Sequence, residues 1–221
     1  MIREEAVRPE MLAILRSFML WPDLSSFFLV GGTSIALRSG YRGSDDIDLF
    51  SPNEFDSQRL SEALHRDFPD CEVTGISKGS VLAFSHGIKI DILQHVYPQL
   101  SSVEELDGIR FASLKDISAM KIHAVSGRGS KKDFSDLLFL HNNGITLADS
   151  VRNYLAKYGD GAVFSALKSI TYFDDTKDEP NPRYRNGWTW DHVRSRMDTL
   201  GKEVQHDFEA KSRSQRRGSE R

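Results

Sequence analysis

The stretch FLVGGTSIALRSGYRGSDDIDLF, residues 28–50, decides how the rest of this sequence is read. Phe27-Phe28-Leu29-Val30 is a short apolar run of the kind that forms a buried strand. It meets Gly31-Gly32, and Thr33 to Leu37 then reads as a helix closed by Gly40. Glycines let backbone N–H groups approach a phosphate, a helix N-terminus adds partial positive charge, and the Thr33 and Ser34 hydroxyls add donors. Gly31, Gly32, Thr33 and Ser34 are therefore candidate nucleotide-binding residues. An ordinary tight turn would use the same glycines, so this stretch gains meaning only in combination with acidic strands further along the chain.

In Asp46-Ile47-Asp48-Leu49-Phe50 the pleat of a strand puts Asp46 and Asp48 on one face, about 7 Å apart, and Ile47 and Leu49 on the other. A bare D-x-D is most often a solvated strand edge. Two carboxylates this close raise each other's pKa unless a cation offsets them, and oxygen ligands suit a hard divalent ion. Ile88-Lys89-Ile90-Asp91-Ile92 alternates in the same way and turns Asp91 outward on the side of Lys89. If the two strands are neighbours, Asp91 joins the pair. Asp46, Asp48 and Asp91 are the expected metal ligands and catalytic residues, with Mg2+ the expected ion and Mn2+ the alternative.

Outward from this centre, Pro9–Leu20 carries apolar residues at helical spacing, and Ser51-Pro52-Asn53-Glu54 has the form of a helix start, the helix reaching Phe68. Glu72–Ile76, Val81–Ser85 and Ile88–Leu93, separated by Lys78-Gly79 and His86-Gly87, predict a three-stranded meander. A Ser- and Glu-rich loop comes next. Ser113-Leu114-Lys115-Asp116 and Ser130-Lys131-Lys132-Asp133 each read as a capping box, the first opening a helix to about Ser126. The segment to Leu167 and Trp190–Phe208 read as helical, with Trp188 and Trp190 packing the last helix. The expected organisation is a catalytic domain over residues 1–110, a helical domain over 111–208, and a basic tail over 209–221 without fixed structure.

The chain has 221 residues, 39% of them hydrophobic, and a net charge of -3, which excludes attachment to nucleic acid by bulk charge alone. Cys71 is the single cysteine, so no intrachain disulfide or Cys-rich zinc site can form and a reducing compartment, the cytoplasm, is the expectation. No secretory signal or membrane span is legible. His86, His95 and His123 lack the spacing of zinc ligands.

With Gly31-Gly32-Thr33-Ser34, Tyr41-Arg42 and Asp46-Ile47-Asp48 in this order, the chain resembles the nucleotidyltransferases related to DNA polymerase β. More narrowly it resembles the AbiEii/AbiGii toxins of bacterial toxin-antitoxin and phage-defence systems. The likeness continues through Asp91, Lys115–Lys121, Gly127–Leu137 and Tyr172-Phe173-Asp174-Asp175.

The resemblance implies an α+β protein: a nucleotidyltransferase-type mixed sheet with flanking helices, followed by a C-terminal helical domain that completes the nucleotide pocket. It implies transfer of NMP from an NTP to an acceptor, RNA and in particular tRNA, with a cognate antitoxin as partner and no membrane. A protein hydroxyl or a small molecule such as an aminoglycoside would be an alternative acceptor. A nucleotide-binding regulator without turnover is a rival from another class, against which the intact aspartates argue, and an RNA-binding module is a further one, which would predict salt-sensitive binding unaffected by removing the carboxylates. Lys121 and Arg128, seven residues apart on one helical face, are expected to address the triphosphate. Asp133 and Asp136 match family positions for nucleotide binding, and Lys121 is expected to be catalytic as well. Asp91 is either a ligand of a second ion or the general base.

Overall fold

The computed structural model describes residues 1–219, with side chains described to residue 210. The chain forms two compact units, Met1–Ser113 with Arg183–Asn186, and Leu114–Pro182 with Gly187 onward. A single boundary near residue 110 does not anticipate the short return segment.

The first unit is built on a seven-stranded sheet. Its elements are α1 (Pro9–Leu20), β1 (Phe28–Leu29), α2 (Gly31–Ser39), β2 (Asp46–Ser51), α3 (Ser57–Asp67), β3 (Glu72–Ser77), β4 (Ser80–Ser85), β5 (Ile88–Gln94), β6 (Glu104–Leu106) and β7 (Ile109–Phe111). The strand order is β3-β4-β5-β2-β1-β7-β6. β3, β4 and β5 form the expected antiparallel meander. β5 lies parallel to β2 and β7 parallel to β1, so the sheet is mixed. Ile47 and Leu49 of β2, Ile88, Ile90 and Ile92 of β5, and Val81 and Ala83 of β4 point into one core. Met11, Leu15 and Phe18 of α1 and Leu60 and Leu64 of α3 belong to the same core. Each large aliphatic or aromatic side chain buried there contributes roughly 1.5–3 kcal/mol relative to exposure.

Two local expectations fail here for identifiable reasons. The helix expected after Ser51 starts later, at Ser57, because Ser51 stays in register with Gln94 as the last residue of β2. Asp56 then caps α3, its carboxylate accepting from the N–H groups of Gln58 and Arg59. The Ser- and Glu-rich loop contains the β6–β7 hairpin, whose turn residues Asp107 and Gly108 both have positive φ, 51° and 77°. That is the geometry an Asp-Gly two-residue turn supplies.

The second unit is helical: α4 (Leu114–Arg128), α5 (Lys131–Asn142), α6 (Leu147–Tyr158), α7 (Val163–Ser169) and α8 (Trp190–Ser219). Capping boxes at Ser130/Asp133 and Thr146/Asp149 start α5 and α6. Asp116, in the first turn of α4, has Oδ1 2.8 Å from Lys157 Nζ, and both side chains are almost wholly buried. Trp190 packs against Phe134 and Phe173. The stretch expected to lack structure from residue 209 is helical as far as Ser219. Val193, Met197, Leu200 and Val204 anchor α8, and the Glu, Ala, Lys, Gln and Arg residues beyond them are good helix formers with no proline to stop it. The expectation for Glu220 and Arg221 lies outside the described residues. Among the described residues no helix is long and apolar enough to cross a membrane.

Candidate active site

β1 hands the chain to α2 at a point where the backbone of β2 is still within reach, Val30 N–H donating to the Asp48 carbonyl at 2.9 Å. Gly31 takes φ +69°, and a Cβ there would stand 2.2 Å from Asp48 Oδ2. Glycine is required twice over, for the left-handed backbone and for the close approach of the carboxylate. Val30 at the N-cap provides no side-chain cap, so the first-turn N–H groups of α2 keep their intrinsic lack of intrahelical partners.

The two hydroxyls behave differently from the expectation that they add phosphate donors. Thr33 and Ser34 are buried. Thr33 Oγ1 donates to the Asp46 carbonyl at 2.5 Å and lies 2.9 Å from Ser44 Oγ. Ser34 Oγ accepts from Arg38 Nη1 at 2.7 Å. The turn is braced on the backbone of β2 through Thr33, while Gly31 and Gly32 form its partly exposed lip.

The pleat turns Asp46 and Asp48 to the face opposite Ile47 and Leu49, which are fully buried. In the parallel register with β5, Asp48 stands beside Asp91 and Asp46 beside Lys89. The conditional neighbour relation between the two acidic strands therefore holds, and neighbouring strands are about 4.8 Å apart. Lys89 Nζ meets Asp91 Oδ2 at 2.5 Å. Burial pulls the Lys89 pKa down, but the hydrogen bond to Asp91 and the charges of Asp91, Asp48 and Asp46 raise it overall. Asp91 Oδ1 is buried and has no hydrogen-bond partner.

Among the described residues no three His, Cys, Asp or Glu side chains close on one point as a ready ion cage. The Lys89 ammonium holds one oxygen of Asp91 instead. In kind, the residues fit a hard divalent cation: carboxylates share one face of adjacent strands, and Asp91 Oδ1 is a buried acceptor still owed a partner.

In the helical unit, Lys121 of α4 is buried between two carboxylates of α5, at 2.8 Å from Asp133 Oδ1 and 2.6 Å from Asp136 Oδ2. Asp136 is fully buried, whereas Asp133 also serves the capping box with Ser130. The fold thus gathers Lys121, Asp133 and Asp136 into one cluster. Arg128, the last residue of α4, is exposed. The seven-residue spacing puts it on the Lys121 side of the helix, but the two do not form a shared solvent-facing pair, because Lys121 turns onto α5.

Two contributors escape sequence reasoning. Alternation places Lys89 on the correct face, and its i, i+2 spacing to Asp91 is the available signal for their pairing. The other contributor is the return segment. Arg183 O accepts from Gly43 N–H at 3.0 Å, Arg185 N–H donates to Tyr41 O at 2.8 Å, and Arg183 Nη2 meets Asp45 Oδ1 at 2.5 Å. The loop leading into Asp46 is held from a point about 140 residues away in sequence, and no local pattern could announce that.

Known proteins similar to this chain identify its fold and its family. An uncharacterized protein of Aquifex aeolicus (strain VF5) is 36% identical over 160 residues, covering 70% of this chain and 77% of its own. JHP933 from Helicobacter pylori shares the fold with a TM-score of 0.55 at 18% identity, over 95% of this chain and 94% of that one. The nucleotidyltransferase toxin MenT4 from Mycobacterium tuberculosis does so with a TM-score of 0.53 at 14% identity, over 92% and 88%. The family described as "Nucleotidyl transferase AbiEii toxin, Type IV TA system" matches residues 13–211. With nearly the whole chain inside that match, this protein belongs to the AbiEii nucleotidyltransferase toxin family.

Proposed function

We propose that this protein transfers a nucleoside monophosphate from an NTP to a hydroxyl of RNA, at a tRNA end, in a reaction that depends on Mg2+ or Mn2+. The observation that carries the reading is the register of β2 and β5, which sets Asp48 beside Asp91 next to the Gly31 turn. The acceptor oxygen bonds to the α-phosphorus, the bond from that phosphorus to the β-phosphate oxygen breaks, and pyrophosphate leaves. Asp91 Oδ1, buried and without a hydrogen-bond partner, receives the acceptor proton. The uncapped first turn of α2 orients phosphate oxygens through its N–H groups. A divalent ion on Asp46, Asp48 and Asp91 would supply charge neutralisation for the triphosphate.

Lys121, Arg128, Asp133 and Asp136 enter as nucleotide-binding residues on the strength of the family resemblance. The family's type IV toxin-antitoxin setting supports a cognate antitoxin. A role in phage defence in the cytoplasm belongs to the same reading.

The test is incubation of the protein with each α-labelled NTP, Mg2+ and, in separate arms, total RNA, cell protein and aminoglycosides. Label in a tRNA-sized band supports the reading. Label in protein or drug would move the acceptor to that class, and no transfer with any NTP would sink the proposal.

A further inference from the structure

Lys89 is the charged group on the acidic face that the proposed chemistry leaves without a task. Strand alternation places it on the side of Asp91, and the parallel register places it beside Asp46. Its side chain is 47% exposed, whereas that of Asp91 is 14% exposed. The half-exposed side chain sets its ammonium 2.5 Å from a recessed carboxylate. Lys89 is an exposed residue of β5 and does not belong to the hydrophobic core. On this face the Lys89 ammonium, in register with Asp46, holds Asp91 Oδ2 and so keeps that oxygen from any ion.

We infer that Lys89 is a tethered cation that competes with the divalent ion for the carboxylates, so that loading the ion requires its ammonium to leave Asp91. This rests on the metal reading above and adds a regulatory element to it. A competing internal cation lowers affinity for the bare ion. An ion arriving on an NTP brings phosphate oxygens as extra ligands, which offsets the displacement. The idle site is thereby kept from filling until nucleotide is present.

Mn2+ binding to the nucleotide-free protein, followed by the paramagnetic resonance signal of free Mn2+, reads this without any turnover. Lys89→Met should bind Mn2+ roughly ten-fold tighter or more, because a like charge within a few ångströms of the ion is removed. Lys89→Arg, which keeps the charge, should stay close to wild type. Adding Asp48→Asn to Lys89→Met should abolish the gain. In EDTA the Lys89→Met protein should melt below wild type, and Mn2+ should restore it, since Asp91 has then lost the ammonium that holds its Oδ2. Equal affinity in wild type and Lys89→Met would overturn the inference, as would Lys89→Arg behaving like Lys89→Met. Failure of wild type and Lys89→Met alike to bind Mn2+ at millimolar concentration would instead remove the metal reading beneath it.

Discussion

Gly31 meets a conformational and a steric demand at the same atom, its positive φ and the close approach of the Asp48 carboxylate. In Gly31→Ala the positive φ costs about 1–2 kcal/mol, and the new methyl would stand 2.2 Å from Asp48 Oδ2. We expect a folded protein of modestly lower stability in which transfer falls by roughly 100-fold or more, since a misplacement near 1 Å is enough for that. Activity within severalfold of wild type would show that Asp48 works from another position. Lys121 needs a different treatment. Its removal takes the ammonium away from the fully buried Asp136, and breaking a buried ion pair in this way costs about 3–5 kcal/mol. Loss of activity in Lys121→Ala would therefore say little about nucleotide. Lys121→Arg keeps the charge and is expected to keep the fold while raising KM for the NTP. An unchanged KM would assign Lys121 to joining α4 to α5 alone.

Elements with local punctuation are legible in their own residues. The bounds of α1, the Gly40 stop of α2 and the Ser130 capping box are written in adjacent positions. The start of α3 is disguised because Ser51-Pro52 imitates an N-terminus, whereas the β2–β5 ladder keeps Ser51 in the strand. The β6–β7 hairpin hides in a polar stretch, although Asp107-Gly108 advertises its turn. The joint between α5 and α6 makes a pH prediction. His141 Nδ1 accepts from Leu147 N–H at 3.1 Å. Burial pushes the His141 pKa below its ordinary 6.5, with Arg196 acting in the same direction and Glu203 against it. The unfolded state therefore binds the proton more readily, so the stabilisation from neutral His141 is present above pH 6.5 and is lost as pH falls below it. Losing this bond costs about 1 kcal/mol, or roughly 2–4 °C in a chain of this size. Thermal melts followed by circular dichroism should show a larger drop on acidification from about pH 7.5 to 5.5 in wild type than in His141→Gln, where nothing titrates. Equal drops would contradict the assignment.

At the scale of the molecule, the sequence order of strand, glycine turn, helix and acidic strand is sufficient to identify the sheet face that carries Asp46, Asp48 and Asp91. Alternation gives each strand its outward side, and that is a local property. Relations between distant residues stay hidden: the Arg183–Asn186 segment held to Tyr41 and Gly43, the Asp116–Lys157 pair, and the burial of Lys121. Each depends on which elements pack together, and no single stretch encodes it. The central claim is that those aspartates serve cleavage between the α- and β-phosphates, and one paired measurement addresses it. The protein is incubated with RNA and an NTP labelled either at the α- or at the γ-phosphate, and incorporation and pyrophosphate release are followed in wild type and Asp48→Asn. The account predicts α-label in RNA, γ-label only in pyrophosphate, equal amounts of the two products, and loss of both in a folded Asp48→Asn protein. γ-Label entering RNA, or transfer undiminished in Asp48→Asn, would contradict it.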